Sequence, residues 1–467
     1  MDSKLQKIQF FSLCFFALLF LFFSIFLNIE GILTNITLLS LFILIATFIF
    51  NPKIGFFLLI ILRIELDYFR DWDVFIIKDY FSLNFGAILG IFIIFFALYW
   101  IIIKREKIFK TPNILIICLF LFISLISILY SQNQLTSITE WVRISSIFAI
   151  YFLTFHLIKT KYDLQLIQKA FLVSAIAPFF VGLLQIITKT GLADESGFLR
   201  IYSIFAHPNA LSYFLVIILT LLIYFFIIAE NQKIKIFYLV SIILNFILLI
   251  FTYSRGAWLA LLITLLLLGV LKYRKLLLKS LVIISFFTIL IFSINLFFQN
   301  YNSSIFLNFD PSRRIIKSFS SSHNSSISWR IDLWQEMAKT FWKKPFLGYG
   351  IGGFEKESLK INGLYAGSYE AHNDYLRLAI ELGLIGLTVY ILLILITLNK
   401  IIKIYKKLED KNLKIFCLCF LCLFISLFIV SFTENILRNT IVQWLLWSFI
   451  ALIFKSTKLE KEKICEG

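Results

Sequence analysis

Four stretches of this chain carry residues able to handle charge where charge is scarce. Arg255 stands in TYSRGAWLAL as the one basic residue between Ile236 and Leu271. That run is too long for one membrane span and right for two, so Arg255-Gly256 marks the turn between them. A cation at such a turn is costly without an anionic partner, although snorkelling to the interface also accommodates it. Arg330 lies between Trp329 and Trp334 in SWRIDLW, and a guanidinium grips diphosphate oxygens with a two-donor fork. Standing alone, it reads more readily as the interfacial anchor of an amphipathic helix.

His372 opens HNDYLRLAIELGLIG. Asn373 is a good N-cap and Asp374 complements the positive end of the helix that follows. The imidazole therefore sits at the mouth of a membrane helix, beside an end that attracts anions, with basicity suited to proton transfer. By itself it is also an ordinary loop histidine. GFLRIYSIFAHPNAL adds Arg200 and His207 as weaker candidates for substrate contact; Asn209 is expected to cap the next span, which accounts for it without any function.

These residues need a scaffold, and composition names its solvent. Of 467 residues, 60% are hydrophobic and only 15% charged, with 55 Phe, whereas soluble proteins carry about 25% charged residues. A soluble enzyme, a disordered chain and a secreted disulfide scaffold are excluded. The formal net charge of +17 does not point to nucleic acid, because Lys and Arg fall in short clusters between apolar runs rather than along one polar face. Segments of about 20 apolar residues recur, and the short alternating stretches of a barrel do not. The expected fold is all-α, a polytopic integral membrane protein with about 12–14 transmembrane helices.

Fourteen spans fit best: 8–28, 32–50, 54–66, 83–103, 113–130, 143–158, 170–189, 209–229, 236–254, 256–273, 276–297, 377–399, 414–432 and 441–455. The 54–66 piece, with Arg63 and Glu65, is short enough to be re-entrant. The 8–28 run lacks a small-residue cleavage site and is expected to be an uncleaved first span. Basic clusters on alternate loops place both termini in the cytoplasm and the candidate residues on the outer face.

The longest outward loop is 298–376. Its Ser/Asn-rich first half suggests mobility. Trp329, Leu333, Met337 and Phe341 then form an apolar helical stripe suited to lying on a membrane surface. GYGIGGF at 348–354 raises the question of a phosphate cradle, but no strand precedes it and no Gly-Lys-Ser/Thr closes it, so a flexible turn is expected. Cys417, Cys419 and Cys422 have a metal-like spacing without His or charge nearby, and core packing is the better reading.

TYSRGAWLAL, SWRIDLW, PFLGYGIGGF and the His-Asn, nine residues, Gly, two residues, Gly pattern ending at Gly383 and Gly386 together resemble the O-antigen ligase and polymerase superfamily. The motifs span 197–438; the first 195 or so residues resemble it only in being a helical array. The resemblance implies a metal-independent, inverting glycosyltransferase that moves a glycan from undecaprenyl diphosphate to an acceptor at the outer side of a bacterial inner membrane. It implies that Arg255 and Arg330 bind diphosphate and that His372 is catalytic. It also implies an acidic residue after the next span, which is Glu434 in FTENILRN. Asn373, Arg200 and His207 are expected to contact substrate more weakly.

The organisation implied is a helical array at 1–195, a ligase-like catalytic region at 196–440 containing the periplasmic loop, and a last helix with a cytoplasmic tail at 441–467. Expected partners are the lipid-linked donor, lipid A core or a glycan as acceptor, and membrane lipids, with no nucleic acid and no cofactor. Within the superfamily, ligase is favoured over polymerase on the motif match. A lipid or polysaccharide transporter would share the span count, but would place its ionisable residues at mid-membrane in repeated halves.

Overall fold

The computed structural model describes residues 32–69, 73–77, 81–104, 108–193, 199–275, 278, 328–361 and 370–461. The expected spans at 8–28 and 276–297, and most of the Ser/Asn-rich half of the long loop, lie outside them. Fifteen α-helices are described: α1 (Ile32–Phe50), α2 (Pro52–Glu65), α3 (Phe85–Lys104), α4 (Ile114–Ser127), α5 (Gln134–Leu157), α6 (Lys161–Val173), α7 (Ile176–Thr188), α8 (Pro208–Ile228), α9 (Gln232–Phe251), α10 (Arg255–Leu271), α11 (Ser328–Phe341), α12 (Phe354–Ser358), α13 (Asp374–Lys407), α14 (Lys411–Val430) and α15 (Thr440–Lys461). Two small antiparallel hairpins, β1 (Asp73–Ile77) with β2 (Phe81–Asn84) and β3 (Leu192–Ala193) with β4 (Leu199–Arg200), are the described strands. Among the described residues, seven helical segments are long and apolar enough to cross a membrane, and three shorter apolar helices accompany them. The molecule is an all-α polytopic membrane protein.

The helices begin where the sequence supplies caps. Asn133, Asn231, Asn373 and Asp410 each accept hydrogen bonds from the first turn of α5, α9, α13 and α14. Thr160 and Asp163 form a reciprocal capping box on α6. At α8 the expectation fails. His207, not Asn209, is the N-cap, its ring Nδ1 accepting from the Asn209 N–H with Pro208 at the first helical position. The Asn209 side chain is thereby freed for other partners.

Packing sorts the helices into a centre and a rim. α15 lies against α5 and α14, and α14 against α8 and α10. In α14 and α15, 83% of the apolar span is buried, but in α9 only 17% is, so α9 faces lipid. The centre is dense in aromatic contacts, such as Phe420 stacked on Phe449 at 3.9 Å and Trp447 edge-on to Phe148 at 5.0 Å. Cys417, Cys419 and Cys422 are buried within this core, in accord with packing.

Two expectations for the outward loop are corrected. The α11 stripe does not rest on lipid. Trp329, Leu333 and Met337 are buried against Tyr349, Phe354, Ala371 and Ile380 of the protein itself, because a protein surface of matching shape buries the stripe more completely than headgroups do. Nor is the glycine run loose. α13 is interrupted at Gly383, whose φ of 63° and ψ of −170° are non-helical. Around this break the Ile380 and Glu381 carbonyls accept from the Tyr349 and Gly350 N–H groups at 2.9 and 2.8 Å, and the Leu384 N–H donates to the Pro345 carbonyl at 2.7 Å. Residues 345–350 thus dock into the break and satisfy backbone that lipid could not. A Cβ at Gly383 would overlap the Phe346 carbonyl.

Candidate active site

The starts of α8, α10, α11 and α13 meet at the turn between α14 and α15, and Glu434 stands in that turn. It is 9% exposed. One carboxylate oxygen lies 3.8 Å from Arg330 Nη1, and the other lies 3.9 Å from His372 Nδ1 and 3.4 Å from Asn209 Nδ2, which donates to it. Arg330 Nη1 also donates to the Thr433 carbonyl at 3.1 Å. Burial alone would raise the Glu434 pKa, but proximity to His372 and the Arg330 and Arg200 cations more than offset it, leaving the carboxyl below its ordinary range.

Arg255 is the first residue of α10 and is partly buried. The next residue fixes how close that helix end comes to the carboxylate. A Cβ at Gly256 would overlap the Tyr213 hydroxyl and stand 2.8 Å from Glu434 Cγ, so only glycine permits the approach. The Ser254 side chain does not cap α10, and the positive end of the helix dipole lies beside Arg255, an arrangement favourable to an anion.

His372 adopts a left-handed backbone, φ 45°, as do Tyr253, two residues before Arg255, and Ser203. Such strain collects at functional sites. Two Trp residues of α11 hold the imidazole. Trp329 meets its ring edge-to-face at 5.6 Å, and the Trp334 indole donates to the Ala371 carbonyl at 2.6 Å. Four buried polar atoms here make no hydrogen bond: Arg330 Nε, His372 Nδ1, Tyr213 Oη and Ser254 Oγ. Each carries a desolvation cost that a polar ligand would relieve.

The weaker candidates divide. Arg200 is buried, with Nε donating to the Thr252 carbonyl at 2.9 Å and Nη2 to Asn209 Oδ1 at 2.7 Å, so it braces both the turn before α10 and the side chain that reaches Glu434. His207 is exposed at the surface, yet surrounding protein desolvates its ring and Arg200 repels its charge, lowering its pKa to about 4. Asn373 is spent as the α13 cap, accepting from the Tyr375 and Leu376 N–H groups at 3.0 Å each. Among the described residues no group of His, Cys, Asp and Glu is placed to hold a metal ion.

Sequence reasoning missed a second cluster. Glu140 of α5 pairs with Arg143 and lies 3.5 Å from both Arg377 and Arg438. Glu370 holds Arg438 at 2.9 Å and accepts from Asn435 at 2.7 Å. Glu381 and Asp374 complete the surroundings of Arg377, at 4.0 and 3.8 Å. The available signal was the presence of charges inside apolar spans, Glu140 and Arg143 in α5, Arg377 and Glu381 four apart in α13.

Residues 240–391 match the model of the family described as O-antigen ligase. Among curated proteins, the chain is 26% identical over 208 residues to an "Uncharacterized protein" of Haemophilus influenzae, covering 42% of this chain and 50% of that one. It is 30% identical over 114 residues to a protein of Rickettsia conorii named "Putative polysaccharide ligase", covering 23% of this chain and 26% of that one. The chain therefore spans half or less of the curated relatives it matches. The stretch that resembles the O-antigen ligase family, residues 240–391, contains Arg255, Arg330 and His372 and stops short of Glu434.

Proposed function

We propose that the protein transfers a glycan from undecaprenyl diphosphate to an acceptor sugar at the periplasmic face of a bacterial inner membrane, as an O-antigen ligase joining O-antigen to lipid A core. The observation that carries this reading is the convergence of Arg330, His372 and Asn209 on Glu434, beside the start of α10 and among buried polar atoms with unused hydrogen-bonding capacity. The family description and the name of the Rickettsia relative support a polysaccharide ligase- or polymerase-type transfer, and ligation is preferred here on the motif match.

In the proposed step the acceptor hydroxyl oxygen attacks the anomeric carbon as the bond to diphosphate breaks, inverting that carbon. His372 takes the hydroxyl proton, and Glu434 stabilises the imidazolium and orients its ring. The leaving diphosphate departs with the bonding electrons. Its growing charge is met by Arg255, by Arg330 and by the N–H groups at the start of α10. Guanidinium does the electrostatic work, so the step calls for no metal.

Purified protein supplied with glycan-loaded undecaprenyl diphosphate and lipid A core should transfer the glycan. A deletion strain should accumulate polymer on the lipid carrier. Single capped repeat units in that strain would instead assign polymerisation, and unconsumed donor in the purified assay together with wild-type surface polysaccharide in the deletion strain would reject glycosyl transfer.

A further inference from the structure

His372 and Glu434 come from different stretches of chain, and the proposed chemistry needs them at a set separation. We infer that Asp374 and Arg143 are positioning residues that hold the Glu434 turn against the His372 segment. Asp374 is fully buried, and its carboxylate is not needed as a cap, since Asn373 already accepts from the first turn of α13. It is not a tight ion pair either, with Arg377 Nη2 at 3.8 Å. Its short bonds run to the catalytic turn. Oδ2 accepts from the Leu437 N–H at 2.7 Å, and the Asp374 N–H donates to the Ser431 carbonyl at 2.9 Å.

One residue thus clamps both ends of the segment whose middle is Glu434. From the other side, Arg143 Nη1 donates to the Leu437 carbonyl at 2.6 Å. Both polar atoms of Leu437 are gripped by charged side chains, a costly use of buried charge unless the position of that residue matters. His372 lies two residues before Asp374, and Glu434 three before Leu437. The clamp therefore carries both catalytic groups on one rigid frame, where a displacement of about 1 Å costs up to about a hundredfold in rate.

The inference rests on the proposed transferase reading, and the test separates the two. The full chain in lipid nanodiscs would be measured as wild type, Asp374→Asn and Asp374→Ala, by hydrogen exchange at the Leu437 amide without substrate and by transfer kinetics from undecaprenyl-diphosphate glycan. Asn keeps an acceptor oxygen. It should preserve Leu437 protection and hold kcat within about tenfold, whereas Ala should lose protection and about a hundredfold in kcat with donor KM within about threefold. Unchanged Leu437 exchange in the Ala variant overturns the clamp. So does an Asn variant as inactive as Ala with its amide still protected, because charge rather than position would then matter. Should the Ala variant fail to fold, Asp374→Glu, which keeps the charge but displaces the oxygen, must show the same kcat loss at retained KM, and wild-type kcat in it overturns the clamp. Absent wild-type transfer defeats the transferase reading while the exchange result still decides the clamp.

Discussion

Two buried carboxylates at one end of the bundle meet very different company. Glu140 is wrapped by Arg143, Arg377 and Arg438, with its pair to Arg143 in direct hydrogen-bond contact. Glu434 keeps Arg330 and His372 at 3.8 and 3.9 Å, and the atoms around it include a hydroxyl, a guanidinium nitrogen and an imidazole nitrogen with no hydrogen bond. The first cluster has spent its charge on the fold. The second holds its cations close enough to be oriented and loose enough to be given to a ligand, which is how a site differs from a strut.

The contrast is broken most sharply through Arg255. Arg255→Lys should lose nearly as much transfer as Arg255→Ala, about a hundred- to a thousandfold, because a point charge does not reproduce the planar two-donor grip on diphosphate. Folding should be unaffected. Wild-type transfer by the Lys variant at equal expression removes the diphosphate role. His372→Ala should abolish transfer while donor affinity, measured by direct lipid-donor binding, stays near wild type, since in the proposed mechanism the arginines hold the diphosphate.

Glu140→Gln should do the reverse. Removing that charge leaves buried arginines uncompensated, at a cost of about 3–5 kcal/mol in unfolding free energy, read as a loss of thermal stability in detergent. An equal loss from Glu434→Gln would erase the distinction between the two clusters.

A smaller effect separates the groups by pH. Glu434 has a depressed pKa when folded, so it contributes stability above its unfolded value, near 4.5, that is lost as pH falls through the folded value. His207 is depressed from 6.5 to about 4, so the unfolded chain binds the extra proton and stability falls as pH drops through that window. His207→Ala should flatten the decline between pH 6.5 and 4 and leave the more acidic limb, which Glu434→Gln should flatten instead. Identical melting profiles from pH 7 to 4 for wild type and His207→Ala would show that the ring is not desolvated.

The helices of the described region were legible because apolar length is a local property, and α1, α8, α10 and α14 begin and end within a few residues of the hydropathy reading. Arg330, His372 and Glu434 were legible as a set through motif order, and the fold brings them together. What hydropathy could not give was partnership. Glu140 and Arg438 are far apart in sequence, and nothing local marks which buried charge meets which. The α11 stripe misled for a related reason: periodicity reports that one face is apolar, but not whether lipid or the protein's own Tyr349 and Phe354 will cover it. At the start of α8, an Asn after Pro resembled a cap, yet the His ring two residues earlier took that work and left Asn209 to bridge Arg200 and Glu434.

The interruption of α13 at Gly383 also bears on how the chain is built. Residues 345–350 leave the ribosome before the helix whose gap they fill, so the template exists when Ile380 and Glu381 arrive. Until the two meet, those carbonyls have no partner that hydrocarbon could replace. The first turns of α13, with His372 at their head, therefore complete their hydrogen bonding only together with the glycine turn, and assembly of this end of the bundle is coupled to the docking of residues 345–350.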